Sequence, residues 1–178
     1  VFITTPDGRF LDFNDAFTAV NLLWNEGVAV RRFTERPGPH LPGDFWVPEA
    51  PDALVARVAD ETGVDFQAMN VDGGAAAPVL RRQRVAMYQR YYGGNIDEGW
   101  TRLLLESFEF PYTSLFDAEL KAGNLNRKYD VIILPDDNLG SMTGGSRDED
   151  EQDYPPEYRS GFGDEGIQAL EAFVAEEN

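Results

Sequence analysis

Residues 84–135, RVAMYQRYYGGNIDEGWTRLLLESFEFPYTSLFDAELKAGNLNRKYDVIILP, decide the fold, because they read as strand, loop, helix, strand, helix, strand. Val85 to Tyr88 and Val131 to Leu134 are short apolar runs rich in β-branched or aromatic residues. Between them Ile96, Trp100, Leu103, Leu104 and Phe108 recur at helical spacing. Alternation of this kind predicts a parallel sheet. Ligands of open parallel sheets sit beyond the carboxyl ends of the strands, so a site is expected in the loops at 89–97 and 135–160. Those loops contain neither Cys nor His.

Upstream, residues 1–70 read as a small α/β linking unit. Phe2–Thr4 and Arg9–Leu11 flank the turn signal Pro6-Asp7-Gly8 and are predicted to pair as a hairpin. Asn14 has the character of an N-cap, Phe17, Val20, Leu23 and Trp24 form one apolar stripe, and Gly27 ends that helix. Strands are predicted at 28–33, 44–47 and 64–69, with a second helix from Pro51 to Gly63. Residues 71–83 read as a linker, since Gly, Ala and Pro there replace any periodic pattern. Residues 84–178 form the second unit, whose long loop GSMTGGSRDEDEQDYPPEYRSGFG is of a length that is either functional or poorly ordered. The chain does not begin with Met, opens within an apparent strand and closes on the amphipathic stretch GDEGIQALEAFVAEEN, so both ends read as cuts in a longer polypeptide and the second unit as truncated at its carboxyl end.

The 178 residues are 42% hydrophobic, enough for a globular fold that buries about 70% of its unfolded surface. No run approaches the roughly 18 apolar residues of a membrane span, and the first residues lack the pattern of a signal peptide, so no membrane insertion is expected and the compartment stays open. The formal net charge of −17 argues against nucleic-acid partners and anionic membrane surfaces. Positive charge is almost all Arg, with Lys121 and Lys128 the only lysines. Adaptation to high salt and the bias of a GC-rich genome are both consistent with that balance. A chain without Cys has no disulfides, thiolate metal sites or thiol nucleophiles.

Several constellations invite a chemical reading. His40 is the only histidine, sits between prolines and lacks the partner ligands zinc catalysis takes. No Ser lies in G-x-S-x-G, so acyl transfer has no visible machinery. Gly93-Gly94-Asn95 precedes a helix, but Asp97 and Glu98 in its first turn repel an anion and complement the helix dipole instead. Asp136 and Asp137 follow the strand VIILP, and with Asp97 or Glu98 they are candidates for a Mg²⁺-dependent phosphoryl-transfer site. The acidic run Asp148 to Asp153 lacks the EF-hand pattern and reads as a solvated segment. Trp100, Phe108, Phe110, Tyr112 and Phe116 are expected in the core. As a binding module, the loops after Tyr88 and Leu134 would offer Arg90, Tyr91, Asn95, Asp136 and Asn138 to a small molecule or peptide.

The run YQRYYGGNIDEGWTRLLLESFEFPYTSLFDAELKAGNLNRKYDVIILPD, followed by PPEYRSGFGDEGIQALEAFV, resembles the C-terminal region of bacterial zinc carboxypeptidase-like proteins, a domain similar to class I glutamine amidotransferases. NDAFTAVNLLWNEGVAVRR with GDFWVP looks like the region that joins it to the metallopeptidase domain. The resemblance implies an incomplete flavodoxin-like or amidotransferase-like sheet after the small α/β layer, and an upstream metallopeptidase domain as partner. It implies zinc only in that absent domain, release of C-terminal amino acids as the parent activity, and a parent family that is often exported. The zinc-binding His-x-x-Glu pair and the amidotransferase Cys and His have no counterpart here, so this chain is expected to be an accessory piece without catalytic or metal-binding residues or a cofactor of its own.

Overall fold

The computed structural model describes residues 2–4, 12–36, 42–68, 77–91, 95–144, 155 and 159–175. The chain is mixed α/β and divides into two compact units, one comprising Val1–Arg82 with Ser107–Phe110, the other Gln83–Glu106 with Pro111–Asn178.

The first unit contains β1 (Phe2–Thr4), α1 (Asp12–Asn25), β2 (Arg31–Arg32), β3 (Phe45–Trp46), α2 (Asp52–Thr62) and β4 (Asp65–Gln67). Its strands form an antiparallel sheet in the order β2-β3-β1-β4. Ala16, Ala19, Val20 and Leu23 of α1 pack with Val58 of α2 and with Val30, Phe45, Val47 and Val64 into one core. Both helices stop at glycines with positive φ, +76° at Gly27 and +72° at Gly63. The start of α1 lies at Asp12, before the Asn14 cap predicted from sequence.

The predicted strand over 28–33 contracts to its two arginines. Arg31 lies 5.5 Å over the Trp46 ring and Arg32 5.2 Å over Phe45, so each guanidinium covers its cross-strand partner. Beside β2 run residues that the sequence placed in a linker: Leu80 N donates to Val30 O at 2.9 Å, Arg32 N to Pro78 O at 3.2 Å, and Ala77 is fully buried with Phe33. The predicted strand over 64–69 is likewise shorter, and β1 pairs with β3 and β4. Arg9–Leu11, the other arm of the expected hairpin, lies outside the described residues, as do His40, Gly93, Gly94 and Asp148 to Asp153.

The second unit runs β5 (Val85–Tyr88), α3 (Ile96–Ser107), β6 (Tyr112–Leu115), α4 (Asp117–Lys121), a 3₁₀ turn at Leu125–Arg127, β7 (Val131–Ile133), α5 (Leu139–Thr143) and α6 (Gly163–Ala175). Its three strands are parallel in the order β6-β5-β7, as the alternating pattern predicts. Arg84 clamps the amino ends of two strands: its Nη2 and Nε reach Asp130 Oδ1 and Oδ2 at 2.8 and 3.0 Å, and its main-chain N donates to Oδ2 at 2.8 Å. On one face, Ala86, Tyr88, Leu115 and Ile132 pack against Leu120 of α4, Met142 of α5 and Leu170 and Phe173 of α6.

Helix α3 departs from the expectation for its apolar stripe. Ile96, Trp100, Leu103 and Leu104 are 78, 66, 52 and 58% exposed, while Glu98 of the opposite side is buried. Glu98 ion-pairs with Arg102, whose Nη2 also reaches Gln89 Oε1 at 3.2 Å and whose guanidinium lies 5.6 Å over the Tyr112 ring. Tyr112 is in register with Val85, so it shares a sheet face with Val85 and Met87. A satisfied polar network thus holds α3 to the sheet and turns its oily side to solvent. Of the aromatics expected in the core, Trp100 and Phe116 are exposed and Phe108, Phe110 and Tyr112 are half-buried.

Candidate functional site

The carboxyl ends of all three parallel strands carry polar side chains. β5 ends in Tyr88 and runs on to Gln89, Arg90 and Tyr91; β6 is followed by Asp117; β7 leads through Leu134 and Pro135 to Asp136, Asp137 and Asn138. In a parallel sheet these ends also gather the amide groups of the helices that follow, which is why ligands bind there.

Arg90 Nε stands 3.0 Å from Asp137 Oδ2, and both side chains are largely buried, 16 and 13% exposed. The pair ties the loop after β5 to the loop after β7. Asn95 adds a second tie, donating from Nδ2 to Asp136 O at 3.0 Å, while its Oδ1 accepts from Asp97 N at 2.9 Å and Glu98 N at 3.3 Å as the cap of α3. Asn138 caps α5, its Oδ1 taking Ser141 N at 3.2 Å, so its side chain serves the helix. Tyr91 is 56% exposed and Asp136 is exposed.

Two groups that sequence reasoning passed over complete the cluster. Tyr88 donates its hydroxyl to Asp117 Oδ1 at 2.6 Å, and Asp117 Oδ2 accepts from Gly161 N at 2.8 Å. Burial first, and then the bond to the Asp117 carboxylate, push the Tyr88 phenol far above its ordinary range, with Arg90 pulling the other way. Tyr88 is therefore a neutral donor near pH 7. Gly161 is required by space as well as by its φ of +122°, because a Cβ there would stand 2.6 Å from Gly144 Cα. The signal for Asp117 was its place after the run TSLF, the same relation that Asp136 has to VIILP.

Beside this cluster lies a hollow of about 410 Å³. Leu134, Leu139, Met142, Phe162, Ile167 and Leu170 wall it, and Asp136, Asp137, Thr143 and Glu171 supply its polar atoms. Leu139 is 72% exposed and Leu134 44%, so the apolar wall is open to solvent. A smaller hollow of about 280 Å³, lined by Asn124 to Arg127 and by Ala169, Ala172 and Phe173, lies on residues that precede β7, away from the strand carboxyl ends.

The larger hollow can take an apolar group with a cationic head. Arg90 faces Asp137, whereas Asp136 and Glu171 are exposed carboxylates in the lining of the hollow. The same pairing bears on Mg²⁺: Asp137 faces a guanidinium and Glu98 is paired with Arg102. Among the described residues no group of three or more His, Asp or Glu side chains converges. No described helix is long and apolar enough to cross a membrane.

Compared with known proteins, the chain matches no family model, no curated protein and no solved structure.

Proposed function

We propose that this chain is a binding module without catalytic chemistry of its own, and that its second unit seats a ligand at the carboxyl end of the parallel sheet. One observation carries the reading: an open apolar hollow of about 410 Å³ is lined by the loop after β7, by α5 and by α6, and has the carboxylates of Asp136, Asp137 and Glu171 in its lining. The ligand class that fits is a small molecule or peptide group with an apolar body and a positive charge. An overall charge of −17 adds long-range attraction for such cations.

The finer fold we propose is flavodoxin-like, of the kind seen in class I glutamine amidotransferases. The order β6-β5-β7 supports it, because it reproduces the first three strands of the 2-1-3-4-5 order. The likeness of the sequence to the C-terminal region of zinc carboxypeptidase-like proteins supplies the setting, an accessory module beside a metallopeptidase domain that releases C-terminal amino acids. The absence of Cys and the single His support the accessory role, since neither amidotransferase nor zinc peptidase chemistry can be assembled from these side chains.

Calorimetric titration tests the reading with phenethylamine and with an arginine-amide dipeptide, each set against its carboxylate analogue. The cations bind, the anions do not, and Asp136→Asn with Glu171→Gln weakens the cations about tenfold. Uniform silence contradicts the binding reading, and zinc-dependent release of C-terminal residues by this chain contradicts the accessory one.

A further inference from the structure

We propose that the outer face of α3 is a docking surface for a basic amphipathic helix of a partner protein, which lays its apolar stripe along Ile96, Trp100, Leu103 and Leu104 and its Lys or Arg flanks against Asp97 and Glu106. The surface goes beyond the ligand seat, since α3 packs on the other face of the sheet from α5 and α6.

These apolar residues fall at helical spacing and make one ridge about 12 Å long. All are more than half exposed. Contiguous apolar surface of this kind marks an interaction site, and Trp is among the residues enriched where binding energy concentrates. The attachment of α3 through Arg102 turns the ridge away from β5 and β6. A strand added to the sheet would therefore leave the ridge uncovered, and a further helix in the same layer would lie beside α3 rather than over it.

Gly99 points to a second helix as the cover. Gly weakens a helix relative to Ala, and nothing in the described chain requires it here, because its φ is not positive and an added Cβ would meet no atom within 4 Å. It stands between Ile96 and Leu103 at the flank of the ridge. The missing side chain leaves a notch that admits a large side chain of a partner, as the ridges and grooves of packed helices interlock.

Charge selects the partner. Asp97 and Glu106 are exposed on opposite flanks of the ridge, while Arg102, the one cation of α3, is engaged with Glu98 on the sheet side. A second copy would set the same carboxylates against these and add another net charge of −17. Lys or Arg beside a partner's stripe meets both instead.

The experiment titrates the whole chain, at physiological salt, with a blocked peptide of about 18 residues that carries leucines at helical spacing and lysines elsewhere. Of Trp24, Trp46 and Trp100 only Trp100 is exposed, so docking shifts tryptophan emission to the blue and Trp100→Phe removes that shift. Amide shifts fall at Ile96 to Leu104. A scrambled peptide of the same charge binds at least about tenfold more weakly, as does a version with glutamates for lysines. Gly99→Ala separates docking from folding, because it raises Tm by about 2 °C and yet weakens the peptide about tenfold. Leu104→Gln weakens it as much with Tm unchanged.

Silence of the peptide, equal binding of the scrambled one, or unchanged affinity in both variants overturns the proposal. A blue shift of Trp100 in the free chain that grows with its own concentration shows a second copy on the ridge and also overturns it.

Discussion

Helices α1 and α3 carry comparable apolar stripes in sequence and meet opposite fates. In α1 the stripe of Ala16, Ala19, Val20 and Leu23 is buried against α2 and the antiparallel sheet. In α3 the stripe of Ile96, Trp100, Leu103 and Leu104 faces solvent, and on the other side Arg102, ion-paired with Glu98 of the same helix, reaches Gln89 and the Tyr112 ring. Helical periodicity establishes which residues share a face, but what lies opposite that face decides whether it is covered. Glu98 and Arg102, one turn apart, look like an ordinary exposed pair. Tyr112 and Gln89 make them the attachment instead.

The largest expected contrast between the two helices is in stability. Leu23→Ala, at a fully buried position, should cost about 3–5 kcal/mol in denaturant unfolding, while Leu104→Ala should stay within about 0.5 kcal/mol. Equal losses would mean that the α3 stripe is covered in solution. Next in size are the contacts around Asp117. Tyr88→Phe leaves that carboxylate one donor short and should cost about 1–3 kcal/mol. Gly161→Ala should lower Tm further, since its Cβ has no room beside Gly144. Glu98→Ala removes the ion pair that orients Arg102 toward Gln89 and Tyr112 and should cost about 1 kcal/mol, tempered by the partial exposure of Arg102, with faster amide exchange along α3 and no change in α1.

The three-stranded order of the second unit was legible because strand and helix periods alternate cleanly from Val85 to Ile133. The first unit was less so. Its strands are two or three residues long, too short for a period-two pattern, and their neighbours come from distant segments, as Phe2–Thr4 pairs with both Phe45 and Asp65. At the candidate site, sequence proximity pointed to Arg90, Asn95, Asp136 and Asn138; Asn138 is taken by a local cap to Ser141, three residues on, while the Tyr88–Asp117–Gly161 chain depends on contacts across 29 and 44 residues. The ion pair that turns α3 outward was hidden for the same reason, since its partners Gln89 and Tyr112 lie on the two flanking strands.

The smallest effect is a pH dependence. The phenols of Tyr112 and Tyr129 are each pushed up to about 12, by burial and then by hydrogen bonds to Glu106 and Glu119, and Tyr88 is raised further. A phenol whose pKa is higher in the folded chain stabilises it fully below the unfolded value near 10 and loses that contribution as pH rises. Stability should therefore begin to fall above about pH 10, and ultraviolet titration should show these three tyrosines ionising late. Tyr88→Phe should reduce that fall, and an unchanged alkaline limb would remove the Asp117 bond from the account.

The most direct test of the binding claim is amide chemical-shift mapping of the whole chain titrated with phenethylamine. The account predicts saturable shifts confined to the end of β7, α5 and α6, at Asp136, Thr143, Ile167 and Glu171, and their loss in the doubly neutralised variant. Shifts along the α3 stripe or in the first unit, or none at millimolar ligand, would contradict it.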